Sequence, residues 1–509
     1  MGAENKRIAK NTIALYIRML FTMLVSLFAS RVVLQSLGVV DYGIYNVVGG
    51  FVAMLSFLNL ALSNCTQRFI IFYLGKNDSK QLEKVFATTI LSHLLLGVLV
   101  VLVCEVIGTW YIHNVMVMPE NRLYAALWAF HTAVASLFLV IVTVPYYSDI
   151  IAHEKMSVYA IVSIVESLFR LGIAYAISIS TYDRLKIYAI LILLVQFVVQ
   201  LTYRQYSKRH FWEARFKYTL NYKLLKEMFS FTGWTVIGNL AFTLHSQGTN
   251  MLLNYFFGPV VNTARGLAMQ VQNAIIQFCN SFQTSVNPQI IKSYASGQVN
   301  DMNLLITRSS RISFFLLYFI ALPILFETEP ILSIWLKQVP SHLVVFVRLS
   351  VLISMITALV NPFGTSVSAT GNIKRYQIVI GGILLLNIPC SFFFLQLGYA
   401  PYIVYIVQFV IECLAMFTRI ILFSKQISLN IPDYLKSVVL RIILTFPLCC
   451  LLLYGVKENL NCSNVIIEMF IVITLGWLIA AIVIWTLGIK REEKEVLINY
   501  IKGRINERK

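Results

Sequence analysis

The sequence predicts an all-α polytopic membrane protein of about 14 transmembrane helices, built as two pseudo-symmetric six-helix lobes followed by an accessory C-terminal pair. Three observations carry that prediction. Hydrophobic residues make up 58% of the 509-residue chain and charged residues only 13%, against about 25% charged in soluble proteins. Mean hydropathy is +0.75. The apolar residues fall in long continuous runs, whereas a membrane barrel would show alternating segments of about ten residues. So few charges cannot clothe a soluble enzyme, a disordered chain or a disulfide-stapled secreted module.

A hydrocarbon core about 30 Å thick takes roughly 20 helical residues at 1.5 Å rise. Runs bounded by turn and charge punctuation place spans at 11–35, 41–65, 85–110, 122–147, 157–180 and 186–203 in a first lobe, residues 1–204. A basic linker, 205–227, leads to a second lobe, 228–425, with spans at 228–256, 261–286, 310–327, 342–369, 377–397 and 401–424. The accessory spans 437–456 and 465–488 occupy the segment 426–488, and a basic tail, 489–509, follows. The first run follows MGAENKRIAKN with no small-residue cleavage site, so it reads as an uncleaved first helix.

The net charge of +18 does not point to nucleic acid, because its distribution is ordered. With the N-terminus in the cytoplasm, inside loops hold thirty Lys and Arg and the opposite loops seven. That is the positive-inside pattern of a bacterial inner-membrane protein with both termini cytoplasmic. The eight cysteines lack any CxxC spacing, so neither a metal nor a disulfide framework is expected. No cofactor is implied.

An internal repeat is expected. Gly38 aligns with Gly258 just after a span, and Gln67, Gly75 and Leu82 align with Gln289, Gly297 and Leu304. Six spans per half is an even number, so the halves share one orientation and are related by an axis along the membrane normal. Two such bundles leave a crevice that rocking exposes to either side, as in a carrier. No GxxxxGK[ST] motif is present to power a primary pump.

Ionisable groups inside spans are costly and usually face the bundle interior. Arg18 has no acidic residue three or four positions away, and Arg265 sits in a polar series containing Asn262. Gln270, Asn273, Gln277 and Asn280 step by helical spacing into one polar stripe, intolerable against lipid and suited to a wet cavity. Guanidiniums and amides together suit a ligand that is anionic at one point and hydroxyl-rich elsewhere. Asp41, Glu166 and Glu412 are the candidates for H⁺ or Na⁺ coupling, although Glu166 and Arg170, spaced i,i+4, also read as a self-neutralising pair. Arg31 and Arg419 lie near span ends, where they could snorkel. No catalytic residues are identified, and the outer loops are too short to hold a catalytic domain.

Residues 34–75, with their LG..DYGIYN element, and the stretch Val286 to Gly297 (VNPQIIKSYASG) resemble the polysaccharide-export flippases of the multidrug/oligosaccharidyl-lipid/polysaccharide (MOP) superfamily, of the O-antigen and capsule repeat-unit type. The resemblance implies a MATE-like fold with a cationic central cavity. It implies alternating-access transfer of an undecaprenyl-pyrophosphate-linked oligosaccharide from the cytoplasmic to the periplasmic leaflet, with membrane lipids and polysaccharide assembly proteins as further partners. Related flippases of peptidoglycan precursors use arginines of the first, second and eighth spans. By that analogy Arg18, Arg31 and Arg265 are the binding positions, although the second span here opens on Asp41 and has no deep arginine. Two alternatives stand beside this reading. A drug or cation antiporter of the same fold would favour acidic cavity residues, and a membrane glycan polymerase or ligase should carry a large outer loop bearing Arg or His.

Overall fold

The computed structural model describes residues 3–495 other than 56–61, 64, 68, 71, 72, 75–77, 154, 216–221, 296, 337, 371, 372, 461–463 and 492. All regular elements among the described residues are helical. The chain divides into two compact units, Met1–Leu267 with Ser391–Pro401, and Ala268–Cys390 with Tyr402–Lys509.

In the first unit, α1 (Ala3–Ala53) runs through the first expected span and into the second as one helical stretch, broken only at Gly38, where φ is 80° and ψ 170°. Glycine takes that backbone at no steric cost. There follow α2 (Ser79–Asn114), α3 (Leu123–Ala152), α4 (Met156–Ser178), α5 (Arg184–His210) and α6 (Tyr222–Phe257). The next helix, α7 (Pro259–Ala295), opens on a proline, favoured at a first helical position. Gly258, with φ 74°, separates α6 from α7. The two glycines aligned by sequence therefore share a left-handed conformation at a helix junction. α1 packs on α4, α2 on α3, and α3 on α5. Ile44, Val47 and Val48 of α1 interlock with Val100 and Cys104 of α2 and with Ala126, Ala129 and Phe130 of α3. In hydrocarbon no hydrophobic drive joins helices, so close packing over small residues has to do it.

The second unit takes the rest of α7 and adds α8 (Val299–Phe326), α9 (Thr328–Trp335), α10 (Leu343–Ala369), α11 (Lys374–Leu385), α12 (Asn387–Gln396) and α13 (Ile403–Phe423). Residues 391–396 of α12 belong to the first unit. The accessory helices are α14 (Ile431–Asn459) and α15 (Val465–Gly488). α10 packs on α8 and α13, and α15 packs on α14 and α8. Arg311, 1% exposed, donates from α8 to the Ser437 carbonyl of α14 at 2.8 Å and pairs with Glu493 just beyond α15. At the other end of α8, Lys457 of α14 pairs with Glu327 at 2.7 Å and donates to the Phe326 carbonyl.

Eleven helices among the described residues are long and apolar enough to span a membrane, so the protein is multi-pass, but the count of fourteen is not established. Kinked α1 covers one expected span and part of another, and the remainder of 41–65 lies largely outside the described residues. The expected spans 228–256 and 261–286 are helical as α6 and α7 but are not among the eleven. In α7 the amides that form the polar stripe lower the hydropathy. The expected span 310–327 is part of a longer helix that begins at Val299 and carries both Arg308 and Arg311 within it. Arg311 is tolerated there because its charge and donors are satisfied inside the protein. Of the basic tail, residues 496–509 lie outside the described residues.

Candidate functional site

In the first unit, α1, α6 and α7 meet along a seam of glycines and asparagines. The Asn250 amide donates to the Asn46 carbonyl at 3.2 Å, and the Asn262 amide donates to both the Asn250 carbonyl and its side-chain oxygen at 2.7 Å. Asn254 exchanges hydrogen bonds in both directions with the Val117 backbone. A Cβ on Gly266 would meet Asn46 at 2.6 Å, and one on Gly50 would meet Asn250 at 2.6 Å. Amides between helices replace the hydrogen bonds that water would supply elsewhere. Of these residues the sequence singled out Asn262, and Asn46 only as the last residue of the LG..DYGIYN element. The others stand alone among apolar neighbours in the linear chain, and only folding aligns them.

Arg265 sits on this seam. It is 3% exposed, and its guanidinium donates to the Ser246 carbonyl at 2.8 Å. Farther along α7, in the second unit, the predicted stripe keeps its spacing. Asn273 and Asn280 are exposed and Gln270 and Gln277 half-buried, whereas Ile275 and Cys279 point into the packing. α7 therefore carries the buried guanidinium near its start and an accessible amide face beyond it. Arg31 is half-buried on the arm of α1 before Gly38. Arg18 lies in α1, with its side chain outside the described residues.

The three acidic candidates lie in three separate ion pairs. Asp41 accepts from Arg122 Nε at 2.8 Å, and the same guanidinium grips Asp183 at 3.0 and 3.1 Å. Asp183 also caps α5, accepting from the Leu185 and Lys186 backbone. Burial would raise the Asp183 pKa, but the Arg122 hydrogen bonds and charge outweigh it and hold the carboxyl below the ordinary range. Glu166 pairs with Arg170 at 2.8 Å, as the i,i+4 spacing predicts. Glu412 lies 3.8 Å from Arg419, which also donates to the Tyr376 hydroxyl at 3.1 Å. Arg419 is thus 8% exposed and held inside rather than snorkelling. Nothing in the linear sequence marks Arg122 as a hub, because its partners lie 81 and 61 positions away.

Arg122→Ala strands two carboxylates at once, at a cost on the order of 2 kcal/mol after discounting for their partial exposure. It is therefore expected to lower the thermal midpoint in detergent more than Asp41→Asn or Asp183→Asn. Because the folded pKa of Asp183 is depressed, this stabilisation is complete above the ordinary carboxylate range. It fades as pH falls through the lowered value, so wild type and variant should converge in strong acid.

One further cluster escaped the sequence. Asp149 and His153 lie a turn apart at the end of α3, and Glu213 follows α5. His153 Nε2 is 2.7 Å from Glu213 and 3.7 Å from Asp149. Burial opposes charging His153, but the Glu213 hydrogen bond and the two carboxylates prevail and raise its pKa.

A family model described as polysaccharide biosynthesis protein matches residues 8–293. No curated protein matches the sequence. Among solved structures, a lipid II flippase MurJ in an inward closed conformation superposes with a TM-score of 0.70 at 15% identity, covering 92% of this chain and 98% of its own. An outward-facing multidrug resistance MATE family transporter of the MOP superfamily gives 0.60 at 14% identity, covering 82% and 96%. A MOP superfamily transporter from Pyrococcus furiosus gives 0.57 at 14%, with the same coverage. With its helices, its buried intramembrane charges and a family match over more than half its length, the chain belongs to the polysaccharide biosynthesis protein family and has the fold of MOP-superfamily flippases and transporters.

Proposed function

We propose that the protein is a flippase that carries an undecaprenyl-pyrophosphate-linked oligosaccharide, an O-antigen or capsular repeat unit, from the cytoplasmic to the periplasmic leaflet of a bacterial inner membrane by alternating access. The observation that carries this reading is the polarity of α7 within a family tied to polysaccharide biosynthesis. A guanidinium suits pyrophosphate, and the exposed amides of Asn273 and Asn280, with half-buried Gln270 and Gln277 on the same stripe, suit sugar hydroxyls. Arg18 and Arg31 are the further candidates for the anionic group. An apolar groove of about 570 Å³ in the second unit, lined by Phe278, Phe315, Phe319, Ile320 and Ile484 with Arg311 beside it, has the surface a polyprenyl tail requires.

The pairing of Asp41, Glu166 and Glu412 with arginines weighs against a drug or cation antiporter, whose cavity would need an acid available to its cargo. A carrier, rather than a glycan polymerase or ligase, also accords with the short connections between successive described helices from Ser79 to His210 and from Tyr222 to Gly488. The test is reconstitution into vesicles containing a fluorescent undecaprenyl-pyrophosphate oligosaccharide in both leaflets. Protein should make the inner-leaflet pool accessible to an outside glycan-cleaving enzyme. Equal accessibility in protein-free vesicles, or transport of an organic cation in its place, would end this reading.

A further inference from the structure

We propose that Asp149, His153 and Glu213 form a binding site for one divalent transition-metal ion of the zinc class, which fastens the segment following α5 to the end of α3. One donor atom from each residue lies within 4.8 Å of the other two. A metal about 2.0–2.2 Å from one nitrogen and two oxygens needs little more than a slight widening of the present 2.7 Å His153–Glu213 contact.

Three observations beyond proximity point to a cation. First, Asp149 is fully buried and Glu213 is 1% exposed, yet Asp149 Oδ1 and Glu213 Oε2 each lack a hydrogen-bond partner in this structure. Asp149 Oδ1 lies 3.7 Å from His153 Nε2, too long for a hydrogen bond. Buried carboxylate oxygens are rarely left so without a price in stability. Second, the trio holds two buried carboxyl groups against a single imidazole, a donor set that a divalent ion would neutralise together with a neutral imidazole. Third, the ligands are already oriented. Ser207 donates to Asp149 Oδ2 at 2.7 Å, leaving Oδ1 for the site, and the His153 ring stacks on Phe211 with centroids 4.0 Å apart and planes 5° from parallel. Such supporting contacts characterise built metal sites.

A nitrogen and two oxygens favour zinc, manganese, cobalt or nickel over soft-thiolate metals, and three protein ligands leave a fourth position for water. The site lies wholly within the first unit and is independent of the cargo. Its consequence is mechanical. Phe211, Ala214 and Leu224 belong to the same buried cluster as Tyr146, Ile150 and Tyr203, and the ion would lock that cluster across the connection between α5 and α6.

The full-length protein, purified in detergent without a metal-affinity step and stripped with chelator, is titrated with zinc chloride alone. The expected result is one equivalent of zinc per chain, a rise of several degrees in thermal midpoint, and at least a tenfold loss of affinity in Glu213→Gln and Asp149→Asn. No uptake by the stripped wild type overturns the proposal, as does equal uptake by both variants, since the three residues then hold only a shared proton. Should either variant fail to fold, the zinc-edge X-ray absorption spectrum of the loaded wild type decides. One imidazole with light oxygen ligands supports the site, and a sulfur shell or the absence of imidazole overturns it.

Discussion

Arg265→Ala is expected to abolish the proposed export of a lipid-linked glycan while leaving the protein inserted at normal levels. The guanidinium is almost wholly buried at the start of α7 and donates to the Ser246 carbonyl. Its removal leaves a half-buried acceptor short of one donor, a cost of about 1 kcal/mol. The loss for the proposed pyrophosphate passenger is larger, because a bidentate charge-assisted contact would vanish from a low-dielectric site. Arg265→Lys keeps the charge but not the planar fork and should retain a fraction of export. Arg18→Ala should behave as Arg265→Ala does. Surface glycan measured in a flippase-null strain, alongside membrane protein levels, distinguishes the effects. Full complementation by both alanine variants would remove arginine from cargo binding.

Gly43→Ala is expected to be the most damaging single-methyl change in the first unit. A Cβ there would lie 1.9 Å from the Pro259 carbonyl oxygen, 2.6 Å from its carbon and 2.9 Å from Thr263 Oγ1. The obstruction is backbone, held by the left-handed junction at Gly258 and by the Thr263 hydroxyl donating to the Val39 carbonyl at 2.5 Å. No rotamer change relieves it, so α1 and α7 must part, at about 3 kcal/mol. Gly49→Ala is the matched control. A Cβ at Gly49 meets nothing within 4 Å, and alanine there should stabilise the helix by roughly 0.5–1 kcal/mol. Thermal midpoints in detergent should move in opposite directions for the two variants. Equal midpoints would mean that the seam is not tightly packed.

What the linear chain disclosed, and what it hid, follows from the range of each interaction. Hydropathy is a local property, so α2, α3, α4, α5, α10 and α15 lie close to where apolar runs placed them. The Glu166–Arg170 pair was visible for the same reason, since one helical turn separates its members. The amide face of α7 was legible because helical spacing alone aligns it. α8 was cut short because Arg308 and Arg311 look like loop charges until Ser437 and Glu493, more than 120 positions away, are folded beside them. The Arg122 cluster was hidden likewise. The glycines gave a subtler signal. Gly38 and Gly258 could be aligned, but nothing in their neighbours announced a positive φ. The trio of Asp149, His153 and Glu213 was out of reach, because its third member is supplied by the segment that follows α5.

The two attachments of the accessory helices to α8 have a consequence for motion. Arg311 and Glu327 are 16 positions apart, about 24 Å along a helix at 1.5 Å per residue. A single clasp would let α14 swivel, but clasps this far apart fix both its pitch and its roll. The pair is therefore an outrigger rather than a loose appendage, and must lean whenever α8 leans. A reporter dye placed at the exposed end of α15 would register the stroke of its neighbour without touching the cargo path.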